Sequence, residues 1–289
     1  MEELIEKAAV LQEALPYIRR FHGRTFVIKY GGSAMIDAAL SESFVRDVLL
    51  LKYVGIHPIV VHGGGPQIDA TLRELGITPQ KVDGLRVTDD RTMEVVEMVL
   101  GGRINKSIVS MFGLHGGRAV GLSGIDDGLL LATKVASVQT KSGARVDIGR
   151  VGEIREVRPQ VLSALMASGV VPVVAPLGVD REGRSLNINA DTAAGEIAAA
   201  LKAEKFMLMT DTAGVCDREG KLIQSLSAAD IDRLRESEVI TGGMIPKVEC
   251  ALQALSGGVG KVHVIDGRVK HAVLLEIFTD RGVGTEINR

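Results

Sequence analysis

The sequence predicts an α/β fold, an open αβα sandwich around a mainly parallel central sheet. Short apolar and β-branched runs alternate with segments of 3.6-residue periodicity along most of the 289 residues, as expected for βαβ units. The strand runs are apolar at consecutive positions, which is typical of strands covered by helices on both faces. Glycine-rich turns directly follow two of the runs, at the edge where ligands bind in open α/β sheets.

Each repeating element is predicted from its own pattern. Apolar and β-branched residues predict strands at 25–30, 57–62, 118–122, 170–175, 205–210 and 261–265. Helical periodicity predicts helices that include residues 44–53, 92–112, 191–201 and 244–255. Because helices lie between strands, most neighbouring strands are expected to run parallel.

A helix is predicted ahead of the first strand, in residues 1–22. Its apolar residues recur at helical spacing, at Leu4, Ile5, Ala8, Leu11, Leu15 and Ile18. Pro16 is expected to kink this helix or restart it. An amphipathic helix outside the βαβ units needs a surface to cover, and two alternatives remain open. It packs on its own domain, or it pairs with another subunit.

Two lobes are expected after the leading helix. Residues 178–184 are rich in Gly, Asp and Arg, a composition that favours a loop between compact parts. This loop sets the predicted boundary between an N-lobe at 23–178 and a C-lobe at 179–289.

Composition and charge limit the possible classes of function. The formal net charge of −2 gives no overall basic field, which disfavours nucleic acid as the main partner. The sequence contains no run of 18 apolar residues, the length that would indicate a membrane span. Cys216 and Cys250 lack metal-ligand spacing, and so small a cysteine content favours a reducing, cytoplasmic location.

The glycine-rich turns indicate a site for phosphoryl groups. One contains Gly31 and Gly32, and the other runs over Gly63, Gly64 and Gly65. Glycine lets the main chain approach a bulky anion, and a helix N-terminus after the turn favours negative charge. Neither turn matches the dinucleotide-binding or Walker patterns, so a nicotinamide dehydrogenase is disfavoured. A tight strand-to-helix turn remains the structural alternative.

Two lysines strengthen the phosphoryl hypothesis. Lys29 lies at the end of the first strand, where a cation is costly unless an anion meets it. Lys247 follows a third glycine pair, at Gly242 and Gly243. The alternative for Lys29 is that its ammonium group extends to the surface.

Four further polar residues are candidates for the site. Asp191 lies near a helix start, where it either caps the helix or takes part in chemistry. Asp211 follows another apolar strand, as a turn former or as a partner that holds a lysine. Asn187 belongs to a pair of amides just before a helix, and Arg86 suits a bidentate grip on a carboxylate.

These motifs together resemble the amino acid kinase family, and within it the members that phosphorylate N-acetyl-L-glutamate. The resemblance rests on six motifs that occur in the family's order across residues 26–250, listed here as KYGGS, VHGGGP, GLRVT, NINAD, TDTAGV and GGMIPK. It implies an N-lobe that binds N-acetyl-L-glutamate and dimerises, a C-lobe that binds ATP, and the product N-acetylglutamyl 5-phosphate of arginine biosynthesis.

The resemblance also implies roles for the candidate residues. Lys29, Lys247, Gly32 and Gly64 would contact the transferring phosphoryl group, with Gly31, Gly63 and Gly65 shaping the turns. Asp191 would orient the lysines, and Asp211 would help to place the catalytic lysine and the nucleotide. Arg86, Asn187 and the main chain near Gly64 and Gly65 would hold the acceptor.

The proposed chemistry needs no general base, because a carboxylate is already ionised at neutral pH. His62 is therefore expected to support its turn. Catalysis would rest on alignment and charge neutralisation. Mg²⁺ would be carried on the nucleotide, with no protein metal site expected.

Arginine-sensitive members of the family suggest regulation. They carry an extra N-terminal helix that joins dimers into a homohexamer, and a C-terminal stretch that binds arginine as an inhibitor. Here Glu276 is expected to pair with a guanidinium, with Tyr17, His271 and Gly284 completing the pocket. The alternative is an ordinary closing helix followed by a turn. Docking of a PII signalling protein on the ring stays open.

Two rival functions remain open on the sequence alone. The nearest is a sister kinase that acts on another carboxylate or on carbamate. The other is a non-catalytic arginine-sensing module with the same fold.

Overall fold

The computed structural model describes residues 1–140, 143–279 and 281–289. Its fold is mixed α/β with a large, mainly parallel central sheet, which confirms the predicted fold class. Of the helices in these ranges, none has both the length and the apolar character needed to cross a membrane.

The helices of the described residues are numbered in chain order. They are α1 (Glu2–Phe21), α2 (Ala38–Tyr53), α3 (Gly65–Glu74), α4 (Asp90–Glu97), α5 (Asn105–Leu114), α6 (Gln160–Ala167), α7 (Ala190–Ala200), α8 (Ala228–Glu236), α9 (Met244–Ser256) and α10 (Ala272–Ile277). A π-helical turn at Met98–Ile104 joins α4 to α5. Short 3₁₀ turns lie at Gly32–Met35 and Asp126–Gly128.

The strands are numbered in the same way. They are β1 (Thr25–Tyr30), β2 (His57–His62), β3 (Lys81–Val82), β4 (Leu85–Arg86), β5 (Ala119–Ser123), β6 (Leu130–Lys134), β7 (Val138–Gln139), β8 (Arg145–Val146), β9 (Gly152–Val157), β10 (Val171–Ala175), β11 (Leu177–Val179), β12 (Ser185–Asn187), β13 (Lys205–Thr210), β14 (Ser225–Ser227), β15 (Lys261–Asp266) and β16 (Thr285–Asn288). All six predicted strands are present.

One compact unit combines the two ends of the chain, Met1–Pro58 and Leu201–Arg289. Its strands lie in the order β14-β16-β15-β13-β1. The pairs β1–β13 and β13–β15 are parallel, whereas β15–β16 is antiparallel. Every residue of β13 is buried, because the strand is covered on both faces.

The other compact unit is continuous, Ile59–Ala200. Here β10 lies between β2 and β5 and pairs with both in parallel. A second sheet has the order β12-β11-β6-β9 and carries the polar loops that precede α7. All of β10 is buried, as expected for a central strand.

The two compact units divide the chain differently from the lobes predicted at 23–178 and 179–289. Phe26 of β1 lies opposite Lys205 of β13 in a parallel register, so the first strand packs with the C-terminal part of the chain. Parallel strands pair across long crossovers, and local sequence patterns do not reveal which distant strand is the partner.

Helix α1 is a single helix with Pro16 inside it, so the helix does not restart there. Its side chains Leu4, Ile5, Leu11 and Leu15 are between 51% and 74% exposed. Within the described part of the chain, these four side chains are therefore not buried against the helix's own domain, which was the first of the two alternatives.

The predicted helix at 92–112 is present but is not regular. Helix α4 passes into the π-helical turn Met98–Ile104 and then into α5 without a break. The Asn105 main-chain N–H donates to the Leu100 carbonyl, five residues back, which is the π-helical pattern. The turn contains Gly101 and Gly102, whose weak helix propensity accommodates the departure from α geometry.

Candidate functional site

The turn after β1 brings together the residues predicted there. Gly32 has a φ of 69°, and a side chain on it would begin 2.6 Å from an Asp211 carboxylate oxygen. Only glycine fits both the backbone conformation and the space. The Ser33 main-chain N–H donates to Asp211 Oδ1 at 2.7 Å. Asp211 therefore holds the 3₁₀ turn that follows β1, and its role as the partner of a lysine stays a prediction.

Lys29 belongs to the same turn. A side chain at Gly31 would begin 2.6 Å from Lys29 Nζ, so the absence of one lets the ammonium group lie over the glycine main chain. Lys29, Gly31, Gly32 and Asp211 thus form one cluster in the unit of residues 1–58 and 201–289.

Tyr30 supports this turn and was not identified from sequence. Its hydroxyl donates to the Ala34 carbonyl at 2.7 Å and lies 3.0 Å from Ser41 Oγ. Its ring stacks on Phe44 with centroids 3.9 Å apart. Burial raises the pKa of Tyr30 to about 12, so the phenol stays protonated and keeps its donor. The signal was available, since Tyr30 directly precedes the glycine pair.

Lys247 lies in the first turn of α9, after Gly242 and Gly243. Gly242 has a φ of 56°, a conformation that favours glycine. The N-cap is Gly243, which has no side chain to cap the first N–H groups of the helix. The Met244 and Ile245 N–H groups already donate to main-chain carbonyls, so it is the positive end of the helix dipole that favours an anion beside Lys247.

The second glycine turn begins α3. Gly64 is the N-cap, and Pro66 occupies the first turn. A side chain on Gly64 would collide with Ile104 and Leu100 of the π-helical turn. Close packing, rather than backbone conformation, therefore requires glycine at this position, because the φ of Gly64 is 170°.

Arg86 lies beside this turn and is buried. It makes an ion pair with Asp69 of α3 and donates from Nη2 to the Gly65 carbonyl at 3.1 Å. Lys81 also bonds Asp69, at 2.9 Å. Partial burial raises the pKa of Asp69, but the hydrogen bonds from Lys81 and Arg86 hold it below its ordinary value. Asp69, which sequence reasoning missed, thus orients the guanidinium.

Asn187 at the end of β12 is joined to the same region. Its Nδ2 donates to Thr88 Oγ1 at 3.2 Å, and the buried Thr88 hydroxyl donates to the Arg86 carbonyl at 3.0 Å. Gly65, Arg86 and Asn187 therefore form a second cluster, in the unit of residues 59–200.

Asp191 is not the cap of α7. Asn189 Oδ1 accepts from the Asp191 and Thr192 main-chain N–H groups, at 2.8 and 3.1 Å. Asn189 is thus the capping residue, and Asp191 lies within the first helical turn. The capping alternative for Asp191 is therefore excluded, and its role as the residue that orients the lysines stays a prediction.

A cavity of about 380 Å³ lies beside α1 in the unit of residues 1–58 and 201–289. Tyr17 and Glu276, two of the predicted arginine-pocket residues, line it. Its wall carries both cations and anions, namely Arg20, Lys205, Lys261 and Arg281 with Glu204, Glu276 and Glu286. Such mixed charge suits a small zwitterion.

Glu276 is buried and strongly hydrogen-bonded. It accepts from His263 Nδ1 at 2.6 Å and from the Val283 and Gly284 main-chain N–H groups at 2.7 and 3.0 Å. Burial raises its pKa, but these bonds and His263 hold the pKa below its ordinary value. Lys205 Nζ lies 2.7 Å from His263 Nε2, and burial lowers the pKa of Lys205 to about 8.

The structure places His271 and Gly284 differently from the predicted pocket. Neither is among the described residues that line the cavity, whereas His263 and Gly282 are. His271 Nδ1 lies 2.7 Å from Asp47 Oδ1, so the ring is tied to α2. His263 could have been predicted from the sequence, because it lies two residues after Lys261 and therefore on the same face of β15.

No group of three or more His, Cys, Asp or Glu side chains within residues 1–140, 143–279 and 281–289 is arranged to hold a metal ion. Lys29 and the glycine turn that follows β1 instead form a group that suits phosphate oxygens.

Comparison with known proteins agrees with these features. The amino acid kinase family matches residues 24–266. The acetylglutamate kinase of Geotalea uraniireducens is 58% identical over 290 residues, covering 99% of each chain. That of Acinetobacter baumannii is 55% identical over 287 residues, covering 98% of this chain and 95% of the relative.

Solved structures share the fold. The N-acetylglutamate synthase of Neisseria gonorrhoeae, complexed with coenzyme A and N-acetyl-glutamate, has a TM-score of 0.86 at 27% identity. The alignment covers 98% of this chain, which spans 63% of the longer synthase chain. The same synthase, complexed with coenzyme A and L-arginine, has a TM-score of 0.81 at 27% identity over 97% of this chain and 65% of that one.

A family match over most of the chain and relatives that share more than half of its residues lead to one conclusion: this chain belongs to the amino acid kinase family.

Proposed function

We propose that this protein transfers the γ-phosphoryl group of ATP to the side-chain carboxylate of N-acetyl-L-glutamate. The product is N-acetylglutamyl 5-phosphate, an intermediate of arginine biosynthesis. The observation that carries this proposal is the 58% identity to an acetylglutamate kinase over 99% of both chains. The two glycine turns and their associated cations support it.

In the proposed reaction a carboxylate oxygen attacks the γ-phosphorus, and the bond to the β–γ bridging oxygen breaks. The electron pair of that bond leaves with ADP. No proton is transferred, because the nucleophile is already an anion. The barrier comes from bringing two anions together, so catalysis depends on positioning and on neutralising charge.

Lys29, Lys247 and the turn amides of Gly32 and Gly64 would bind the transferring group. Lys29 suits this role because its ammonium group lies over Gly31. Lys247 suits it because it lies in the first turn of α9, at the positive end of the helix dipole. Asp191 would orient these lysines, and Asp211 would keep the first turn in place for the nucleotide.

Arg86 and Asn187 would hold N-acetyl-L-glutamate. Arg86 is oriented by Asp69 and the Gly65 carbonyl, which use two of its five N–H groups. The remaining donors suit a carboxylate. Asn187 offers an amide, which suits the uncharged acetylated nitrogen of the acceptor. Mg²⁺ would be carried on the nucleotide phosphates and would lower their charge.

A kinase assay with an acceptor panel tests the proposal. ADP release would be coupled to a reporter, with N-acetyl-L-glutamate, L-glutamate, an aminoadipyl substrate and carbamate compared at equal concentration. We expect turnover with N-acetyl-L-glutamate far above that with the others. Turnover on another acceptor would point to a sister kinase. Arginine binding without turnover on any acceptor would point to a non-catalytic sensor.

We also propose that arginine inhibits this enzyme by binding the cavity beside α1. Its guanidinium would pair with Glu276, near Tyr17 and His263. A synthase of the same fold crystallised with L-arginine supports this proposal. The exposed apolar side chains of α1 support assembly into a homohexamer, and docking of a PII signalling protein on that ring stays open. Arginine that changed neither activity nor assembly at millimolar concentration would contradict this regulation.

A further inference from the structure

Two polar side chains below the second glycine turn are completely buried. His62, the last residue of β2, and Asn105, the first residue of α5, both have 0% exposure. Buried polar groups are costly unless they are hydrogen-bonded. Neither residue belongs to the site proposed above, so their burial needs another explanation.

The hydrogen bonds around this pair define one orientation. Asn105 Nδ2 lies 2.9 Å from the Val173 carbonyl and 3.3 Å from the Leu122 carbonyl, so this atom must be the amide nitrogen. The same nitrogen lies 3.2 Å from His62 Nε2. His62 Nε2 is therefore an acceptor, and the proton is on Nδ1.

This tautomer joins His62 to the glycine turn. Its Nδ1–H donates to the Gly63 carbonyl at 3.0 Å. Asn105 thus sets the imidazole tautomer, and the imidazole holds the first peptide of the turn. Such a chain of buried bonds allows one arrangement, because rotating the Asn105 amide would place its oxygen against two carbonyls.

The sheet leaves space for the Asn105 amide. A side chain on Gly121 of β5 would collide with Asn105 Oδ1. Lys106 Nζ completes the arrangement, donating to Asn105 Oδ1 at 3.1 Å and to the Gly121 carbonyl at 2.9 Å. All polar atoms of the amide therefore have partners from the neighbouring strands and helix.

The π-helical turn Met98–Ile104 connects these contacts to Gly64. Leu100 and Ile104 of this turn lie where a Gly64 side chain would be. Asn105 follows directly, so one irregular turn supplies both the apolar surface under Gly64 and the amide behind His62. An α-helical register would rotate the following residues by about 100° per missing residue, which would separate these contacts.

We propose that Asn105 is a positioning residue for phosphoryl transfer. Through His62 it fixes the Gly63–Gly65 turn, and the turn presents the Gly64 N–H to the transferring group. The proposal rests on the proposed function for the catalytic part of this role. The contact of Asn105 with the turn itself does not depend on the reaction.

The main test replaces Asn105 by aspartate. In Asn105→Asp two acceptors face His62 Nε2 and the Val173 carbonyl, so the turn loses its support. We expect kcat to fall about 10–100-fold, because small displacements of positioned groups cost this much. The KM for ATP should stay within about threefold, since Lys29, Asp211 and Lys247 are unchanged. Asn288→Asp, the same change at the C-terminal strand, is the matched control.

Two further variants keep the test valid if Asn105→Asp does not fold. Lys106→Met removes a donor from Asn105 Oδ1 at an exposed position, and a fall in kcat of about 2–5-fold is expected for one such bond. Gly121→Ala displaces the amide, whereas Gly113→Ala in α5 places its methyl group in open space. Thermal unfolding identifies variants that remain folded, and Phe112→Leu serves as a destabilised control whose turn is intact.

Hydrogen exchange of the peptide covering residues 59–68 supplies a measurement independent of activity. Faster exchange at the Gly63–Gly65 turn in folded Asn105→Asp, but not in Phe112→Leu, supports the proposal together with the loss of kcat. Unchanged exchange overturns it, and so does faster exchange with unchanged kcat. If the wild-type chain phosphorylates no acceptor, the proposed function fails, while the exchange result still decides whether Asn105 supports the turn.

Discussion

At the scale of single residues, the proposed site depends on a lysine whose ammonium group can approach the main chain because the neighbouring residue is glycine. Lys29 lies over Gly31, and no side chain comes between the ammonium group and the turn. A positive charge at this point would attract the transferring phosphoryl group. The same two features, a lysine at the end of a strand and a glycine pair after it, were the first signal in the sequence.

The proposed role of Lys29 predicts a large loss of turnover on its removal. In Lys29→Ala, kcat should fall about 10²–10³-fold, equivalent to about 3–4 kcal/mol of transition-state stabilisation. Steady-state kinetics measures this, with Lys221→Ala as a control that removes a lysine from an exposed turn. Equal kcat values for the two variants would remove Lys29 from the catalytic set.

Arg86 should affect binding more than turnover. In Arg86→Ala the KM for N-acetyl-L-glutamate should rise about 10–100-fold, because a desolvated charge-assisted pair is lost. Arg86→Lys keeps the charge but not the planar fork, so a partial loss is expected. Unchanged acceptor binding in Arg86→Ala, measured by calorimetry, would contradict the assignment of the acceptor pocket.

His62 predicts a pH dependence of stability. Burial chiefly lowers the pKa of His62, from 6.5 to about 4, with Lys106 nearby adding to the effect. Between pH 6.5 and pH 4, His62 is protonated in the unfolded chain but neutral in the folded chain. The contribution of neutral His62 to the free energy of unfolding is therefore lost as pH falls from 6.5 to 4. The loss should be about 3 kcal/mol relative to neutral pH.

Denaturant unfolding of the wild type and His62→Gln at pH 7 and pH 4.5 measures this contribution. The other titrating groups, including Asp47 and Glu276, are common to both proteins and cancel in the comparison. We expect the wild type to lose more of its free energy of unfolding than the variant. Parallel losses in the two proteins would show that His62 is not a buried neutral base.

Single residues also mark the limit of sequence reasoning about the site. Every residue of the two clusters could be predicted from motif and spacing, because glycine, lysine and arginine have distinctive chemistry. Asp69, which orients Arg86, could not be predicted, because the local sequence does not show which acidic residue of a helix contacts an arginine. His271 was predicted to line the arginine pocket, whereas His263 lines the cavity beside α1 and His271 contacts Asp47 of α2 instead.

At the scale of elements, periodicity predicted where helices lie but not how regular they are. The apolar pattern continues through Met98–Ile104, so the extra residue of the π-helical turn leaves no mark on it. The capping residue of α7 was similarly ambiguous, since Asn189 and Asp191 are both good caps. In the structure Asn189 is the cap.

Helix α1 gives an element-scale prediction about assembly. Leu11 is 74% exposed, and exposed apolar stripes of this kind mark association surfaces. Leu11→Glu should reduce the particle mass of the proposed hexamer while leaving turnover unchanged, as judged by analytical ultracentrifugation and kinetics. Leu75→Glu places the same charge at another exposed leucine and should leave the assembly intact. Identical sedimentation of the two variants would exclude α1 as the assembly surface.

At the scale of the whole molecule, the α/β class and its strands followed from the sequence, because buried parallel strands are continuous apolar runs. The division of the chain into two compact units did not follow from the sequence. The first strand pairs with β13, so one unit is built from both ends of the chain, and no local pattern encodes that pairing.

The central claim is that the product is an acyl phosphate on the side chain of N-acetyl-L-glutamate. Hydroxylamine traps such a product as a hydroxamate, so the most direct measurement incubates the enzyme with ATP, Mg²⁺, hydroxylamine and the acceptor. We predict a hydroxamate of N-acetyl-L-glutamate formed in equal amount to ADP. ADP without hydroxamate, or hydroxamate from a different acid only, would contradict the account.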